Sequence, residues 1–197
     1  MKKKFTIAIL TAIMVLSAIS CTTANDGINQ NQNIVANLSW ASHYQDICEL
    51  CTEADLIAVG EIDRVINETS DKVAEAEWGP VIIYTTDFAF WIEQILKGKE
   101  AKEIILHQTG AAGKEEISDD PLFKLGEKYI LFLHEYEAGK YFVLGGPQGR
   151  FKIIDDKVFS MNRVLPDKVV LDPGLDVNRM DKESFINSVV ANLKNNH

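Results

Sequence analysis

Residues 126–136, GEKYILFLHEY, decide the reading of the fold: behind a glycine, Tyr129 to Leu133 form a nearly continuous apolar run, as a barrel strand shows. Downstream, GKYFVLGG (139–146) pairs with it across Glu137-Ala138-Gly139-Lys140, a hairpin loop by composition. GRFKIIDDKVFSM (149–161) makes a further hairpin that turns at Asp155-Asp156. Upstream lie three more strand candidates, KEIILHQTG (102–110), YTTDFAFWIEQILKG (84–98) and ADLIAVGEIDRVI (54–66). The last holds Gly60 in its interior, the mark of a bulge or sharp bend. NETSDKVAEAEWGP (67–80) reads as a polar loop, and residues 110–124 as the longest interruption. The expected fold is mainly β, a five-stranded OB-like barrel, closed or partly open, because closure removes exposed strand edges.

Helices flank this region. Trp40, Tyr44, Ile47 and Cys51 share one face of a short helix for which Ser39 is the N-cap. At the other end, Phe185, Ile186, Val189, Val190 and Leu193 form a helical stripe behind Asp181, a second N-cap.

The first residues are of another kind. Lys2, Lys3 and Lys4, an apolar core from Phe5 to Leu16 and the small-residue approach Ser17-Ala18-Ile19-Ser20 lead to Cys21. This is the pattern of a bacterial lipoprotein signal over 1–20, with Cys21 as the lipidated residue. TTANDGINQNQNIVANL (22–38) is too poor in apolar residues to order itself. With Cys21 it forms a tether over 21–38 that holds the domain roughly 20 to 25 Å from the membrane. Residues 39–161 then carry the helix and barrel, and 162–197 a loop and the terminal helix. The expected location is the extracytoplasmic side of a bacterial envelope membrane.

Charge narrows the partners. Taking the three signal lysines from 20 Lys+Arg leaves 17 against 29 Asp+Glu, about −12 for the mature chain. Such a surface repels nucleic acid and anionic headgroups.

The segments LCTEADLIAVGEI (50–62), FAFWIEQILKG (88–98) and PLFKLGEKYILFLHEYEAGKYFVLGG (121–146) resemble the netrin-like domain of tissue inhibitors of metalloproteinases. ADLIAVG, LFKLGEKYILFL and GGPQGRF are also similar to segments of a group of uncharacterised secreted bacterial proteins. The resemblance implies an OB-fold-like barrel and, as a second functional reading, a secreted protease inhibitor. In the animal inhibitors a free N-terminal cysteine chelates the protease zinc. This chain departs from that pattern, since its cysteines at 48 and 51 follow a tether and helix.

Few residues suggest chemistry. Cys48 and Cys51 form a C-x-x-C pair that could be a local disulfide, two packed thiols, a redox couple or half a metal site. His107 and His134 sit in apolar strand runs, where a hydrogen-bonded structural role is expected. KEEISDD (114–120) and LDPGLDVNRMD (171–181) could offer oxygen ligands to calcium but fit no EF-hand loop. Neither G-x-S-x-G, H-E-x-x-H nor a P-loop occurs. No catalytic residue, metal or cofactor is therefore expected, and a binding module is. Its candidate binding rim is Gly145, Gly146, Pro147, Gln148, Gly149 and Arg150, where clustered Gly and Pro admit a partner's backbone, or else form a tight turn. Trp78, an aromatic on a polar loop, completes it. The partner class is an envelope or extracellular protein, with the membrane reached through the lipid.

Overall fold

The computed structural model describes residues 34–36, 43–76, 79–161 and 178–195. In chain order these form β1 (Ile34–Ala36), α1 (Ile47–Glu53), β2 (Leu56–Ala76), β3 (Gly79–Lys97), β4 (Glu103–Thr109) and β5 (Glu115–Ile117). β6 (Lys128–Glu137), β7 (Lys140–Val143), a 3-10 turn (Gly146–Gly149), β8 (Arg150–Ile154), β9 (Lys157–Ser160), β10 (Asn178–Asp181) and α2 (Lys182–Asn195) follow. The mainly β expectation holds, with more strands than expected. Eight of them form one sheet in the order β10-β9-β8-β6-β2-β3-β4-β7, while β1 and β5 pair separately. β7 also pairs with β6, so the ladder runs β2, β3, β4, β7, β6 and back to β2. Within that ring β4–β7 is parallel and the other pairs are antiparallel.

β6 explains its own sequence. Ile130 and Phe132 enter a core cluster covered by the helices, through Leu50 and Cys51 of α1 and Phe185 and Val189 of α2. Tyr129, Leu131 and Leu133 face the other way, into a second cluster with Phe88, Phe90, Leu106 and Phe123. A strand buried on both faces has no polar side to show, hence the unbroken run. β2 alternates likewise, Ile57 and Val59 toward the first cluster, Leu56, Ala58 and Ile62 toward the second. At Gly60 the β2–β3 register shifts, and a Cβ there would lie 2.2 Å from the Trp91 carbonyl oxygen. The expected bulge is thus a requirement of close packing.

Two expectations need correction. Within the stretch expected as a loop, Asn67 to Ala76 instead continue β2 and pair with Asp87 to Gly79 of β3. Its polarity reflects two faces open to water rather than a break in the ladder. The N-terminal helix begins at Ile47, capped by the Asp46 carboxylate, which accepts from the Glu49 N–H at 2.8 Å while Glu49 accepts from the Gln45 N–H at 2.7 Å. The Asp46 cap fixes the start there, with Glu49 reaching back to the residue before it; Ser39 and Trp40 lie outside the described residues. The strands beyond the five of the β2-β3-β4-β7-β6 ring are β1 and β5, which pair apart, and β8, β9 and β10, which extend the main sheet beyond β6. The hairpin at Asp155-Asp156 forms as expected, both residues left-handed with φ 48° and 57°, the conformation a two-residue hairpin turn demands. α2 follows Asp181, whose carboxylate accepts from the Ser184 N–H at 3.4 Å.

Candidate binding arm and cleft

β2 pairs with β6 only over Leu56–Glu61, and β3 with β4 only over Thr85–Trp91. Ile62 still exchanges backbone hydrogen bonds with Gly126 and Glu127, and Tyr84 accepts one from Gly110; from Asp63 to Ala76 and from Gly79 to Ile83, among the described residues, the two strands have only each other as strand partners and form a two-stranded arm. Val65, Ile66, Val73, Ile82 and Ile83 on it are all exposed. Ile66 and Val73 fall at register shifts of β2, and Glu68, Asp71, Lys72 and Glu75 flank them. Bulges and charges of this kind guard an open strand edge. The β3 edge from Val81 to Tyr84 carries neither.

At the base of the arm, residues 110–124 fold back and are fastened to β3. Thr86 Oγ1 donates to the Gly110 carbonyl at 2.7 Å, and Gly110 N–H to the Tyr84 carbonyl at 2.7 Å. The Glu115 carboxylate accepts from Tyr84 N–H at 3.2 Å. Lys114 pairs with Glu68 at 3.4 Å and sits over the Tyr84 ring. Between the loop and the arm lies a cleft of about 530 Å³ with apolar walls from Val65, Phe88, Ile117, Leu122 and Phe123. Glu68, Glu116 and Lys124 supply its charge. Alternation along β3 places Ile82, Tyr84, Thr86 and Phe88 on one face, so an apolar strip leads from the cleft onto the arm. A mostly apolar concavity of this size with a few polar groups is what a ligand or a partner's anchoring side chain fills.

The cleft wall is clamped from behind. Gln108, buried, donates to the Asp120 and Pro121 carbonyls at 3.3 and 3.2 Å and accepts from Phe123 N–H at 3.1 Å. Arg150, 2% exposed, donates to Asp120 Oδ1 at 3.2 Å, the Pro121 carbonyl at 2.6 Å and the Tyr129 hydroxyl at 3.1 Å. Its guanidinium lies 3.8 Å from the Phe123 ring centroid and 4.9 Å from that of Tyr129. Burial pushes the Asp120 carboxyl above its ordinary value although Arg150 pulls it down. It pushes the Tyr129 phenol up to about 12 against the same pull. Tyr129 donates in turn to Glu127, which also pairs with Lys152 at 2.5 Å.

The expected binding rim is therefore not open. Gly146, Pro147, Gln148, Gly149 and Arg150 are buried. Gln148 exchanges two hydrogen bonds with the Tyr44 backbone, at 3.3 and 3.1 Å. A Cβ on Gly149 would lie 2.5 Å from the Leu144 carbonyl oxygen, and one on Gly145, at φ +58°, 2.7 Å from Gln148 Oε1. The space that glycine leaves is taken by the chain's own backbone and by Tyr44, which is the physical reason for the correction. Cys48 and Cys51 are thiols with no disulfide between them, one half-buried and one buried against the first core cluster. Burial pushes the Cys51 thiol up to about 12, with Cys48 adding to the rise, opposite to the depressed value a redox couple needs. Cys21 and Trp78 lie outside the described residues. Asp120 of the acidic stretch serves Arg150. Among the described residues, no group of three or more His, Cys, Asp or Glu side chains could hold a metal ion.

The arm and cleft are what the sequence reading missed. The available signal was the β-branched content at Val65, Ile66, Thr69, Val73 and Val81 to Ile83, without the alternation that marks a strand. No protein-family model matches the chain, and no curated protein does either.

Proposed function

We propose that the chain is a lipid-anchored, non-enzymatic binding module of the bacterial cell envelope, built on an OB-like barrel, that captures a partner protein with the β2–β3 arm and the cleft at its base. The ring of pairings from β2 through β3, β4, β7 and β6, with its one parallel pair, supports the OB-like reading. The arm carries the functional reading. Five large apolar side chains stand in water on a ribbon that adds nothing to either core, and an exposed patch of this kind marks an interaction site. Among the described residues no helix is long and apolar enough to cross a membrane; membrane attachment is assigned to a lipid on Cys21.

Two measurements test this. Intact mass of the protein extracted from its own membranes, compared with Cys21→Ala, reads the anchor: a mature chain that starts at Cys21 with acyl mass supports it, and an unmodified one sinks it. A photo-crosslinker placed at Ile83 in cells reads the arm. A discrete adduct that disappears with Ile82→Lys supports capture, whereas no adduct, or one indifferent to that change, removes the arm from the reading.

A further inference from the structure

On β4, β6 and β7, four rings form a continuous row. His107 lies 5.6 Å from Tyr136 between ring centroids, Tyr136 6.1 Å from Phe142, and Phe142 5.1 Å from His134. Tyr136 and Phe142, in the middle, are 45% and 38% exposed and tilt by only 33° to one another. They make a two-ring platform open to solvent. At each end a carboxylate holds the imidazole: Asp87 Oδ1 is 2.6 Å from His107 Nδ1, and Asp55 Oδ2 is 2.8 Å from His134 Nδ1. Asp55 is itself positioned by the Glu135 N–H at 2.9 Å. With Nδ1 committed, each ring orientation is set.

The charge around the platform is one-sided. Asp55 and Asp87 hold its two ends and Glu137 lies beside Tyr136, while the lysine next to them, Lys140, is paired with Glu137 at 2.8 Å. The Tyr136 phenol is pushed above its ordinary value, by burial first and by Asp87 next, against a pull from Lys140. Aromatic faces attract cations, arginine above all, and carboxylates at the rim add to the attraction. The molecule already makes this arrangement once in its interior, where the Arg150 guanidinium lies over Phe123 and Tyr129 beside Asp120.

The geometry points to a second binding site, an aromatic platform of Tyr136 and Phe142 flanked by His107–Asp87 and His134–Asp55, that receives an arginine side chain of a partner protein. It does not rest on the arm. The probe is a tetra-arginine peptide titrated into the detergent-solubilised full chain, followed by the ring resonances of Tyr136 and Phe142, with the tetra-citrulline peptide as the uncharged match. The arginine peptide is expected to move both rings and the citrulline peptide to bind at least about tenfold more weakly. Tyr136→Leu with Phe142→Leu keeps apolar volume but removes both π faces, and is expected to weaken arginine binding about tenfold. Unchanged binding in that double variant would show general acidity at work and overturn the site. Equal binding of citrulline, or a neutral chito-oligosaccharide moving the same rings at lower concentration, would overturn the ligand class.

Discussion

Arg150→Met removes the centre of the buried network. The arginine is 2% exposed and its partner Asp120 7%, so the substitution leaves a carboxylate in the interior without its counter-charge, the Tyr129 hydroxyl without the donor it accepts from, and the Pro121 carbonyl with Gln108 as its remaining donor. Breaking a buried pair in this way costs about 3–5 kcal/mol, or a fall in Tm of roughly 6–20 °C for a chain of this size. The pH dependence is the sharper signature. Burial already raises the Asp120 carboxyl above its ordinary value, and without Arg150 it rises further. A raised acid takes up a proton on folding, so its contribution favours the folded state at low pH and is lost as pH climbs from about 3.9 through the folded value. The cost of Arg150→Met is therefore largest near neutrality and shrinks toward pH 4, where Asp120 carries a proton. Reversible urea unfolding of both proteins at several pH values reads this, and adding Asp120→Asn is expected to return part of the loss at neutral pH. A cost below about 1 kcal/mol, or one that does not change with pH, would refute the account of the network.

Three further outcomes follow from packing. Gly149→Ala places a Cβ 2.5 Å from the Leu144 carbonyl oxygen, and a loss of about 1–3 kcal/mol is expected in denaturant unfolding. Ile83→Thr and Val73→Thr on the exposed arm are expected to change stability by less than about 0.5 kcal/mol while reducing partner capture in cells. Cys51, buried with its thiol pushed up to about 12, is expected to resist iodoacetamide at pH 8 and to react only when the chain unfolds, with mass spectrometry as the readout.

Legibility in the sequence followed burial. β6 could be read because Tyr129 to Leu133 face two cores at once, and α2 because its stripe meets one core. The arm was misread because neither face of Asn67–Ala76 is covered, so charges interrupt the alternation that marks a strand. Gly145–Gly149 was read as a rim because glycine signals room without saying whose atoms fill it; here Tyr44, a hundred residues earlier in the chain, does. Arg150 gave no local sign of burial, since Asp120 lies thirty residues away. Tyr136, Phe142, His107 and His134 looked like separate strand residues because the ring that juxtaposes them comes from β4–β7 pairing.

The arm and the cleft should also differ in how they open. A two-stranded ribbon is marginal in water by itself, and the outer pairs, Asp71–Ile83, Lys72–Ile82 and Ala74–Val81, have no third strand beside them among the described residues. Their order derives from the continuation of the same strands into the core at Val59 and Phe90. The cleft wall, by contrast, is held by Thr86, Gln108 and Arg150 through buried hydrogen bonds. Amide hydrogen exchange is therefore expected to fall into a gradient: Lys72 and Ile82 exchange through local opening at small cost, Thr86 and Phe123 are intermediate, and Val59 and Phe90 exchange only on global unfolding. A partner bound along the arm would raise protection at Ile82 far more than at Phe123, because the wall is already ordered before binding. Uniform protection along β3 in the unbound protein would mean that the arm is covered by something else, and the reading of it as an open docking element would fail.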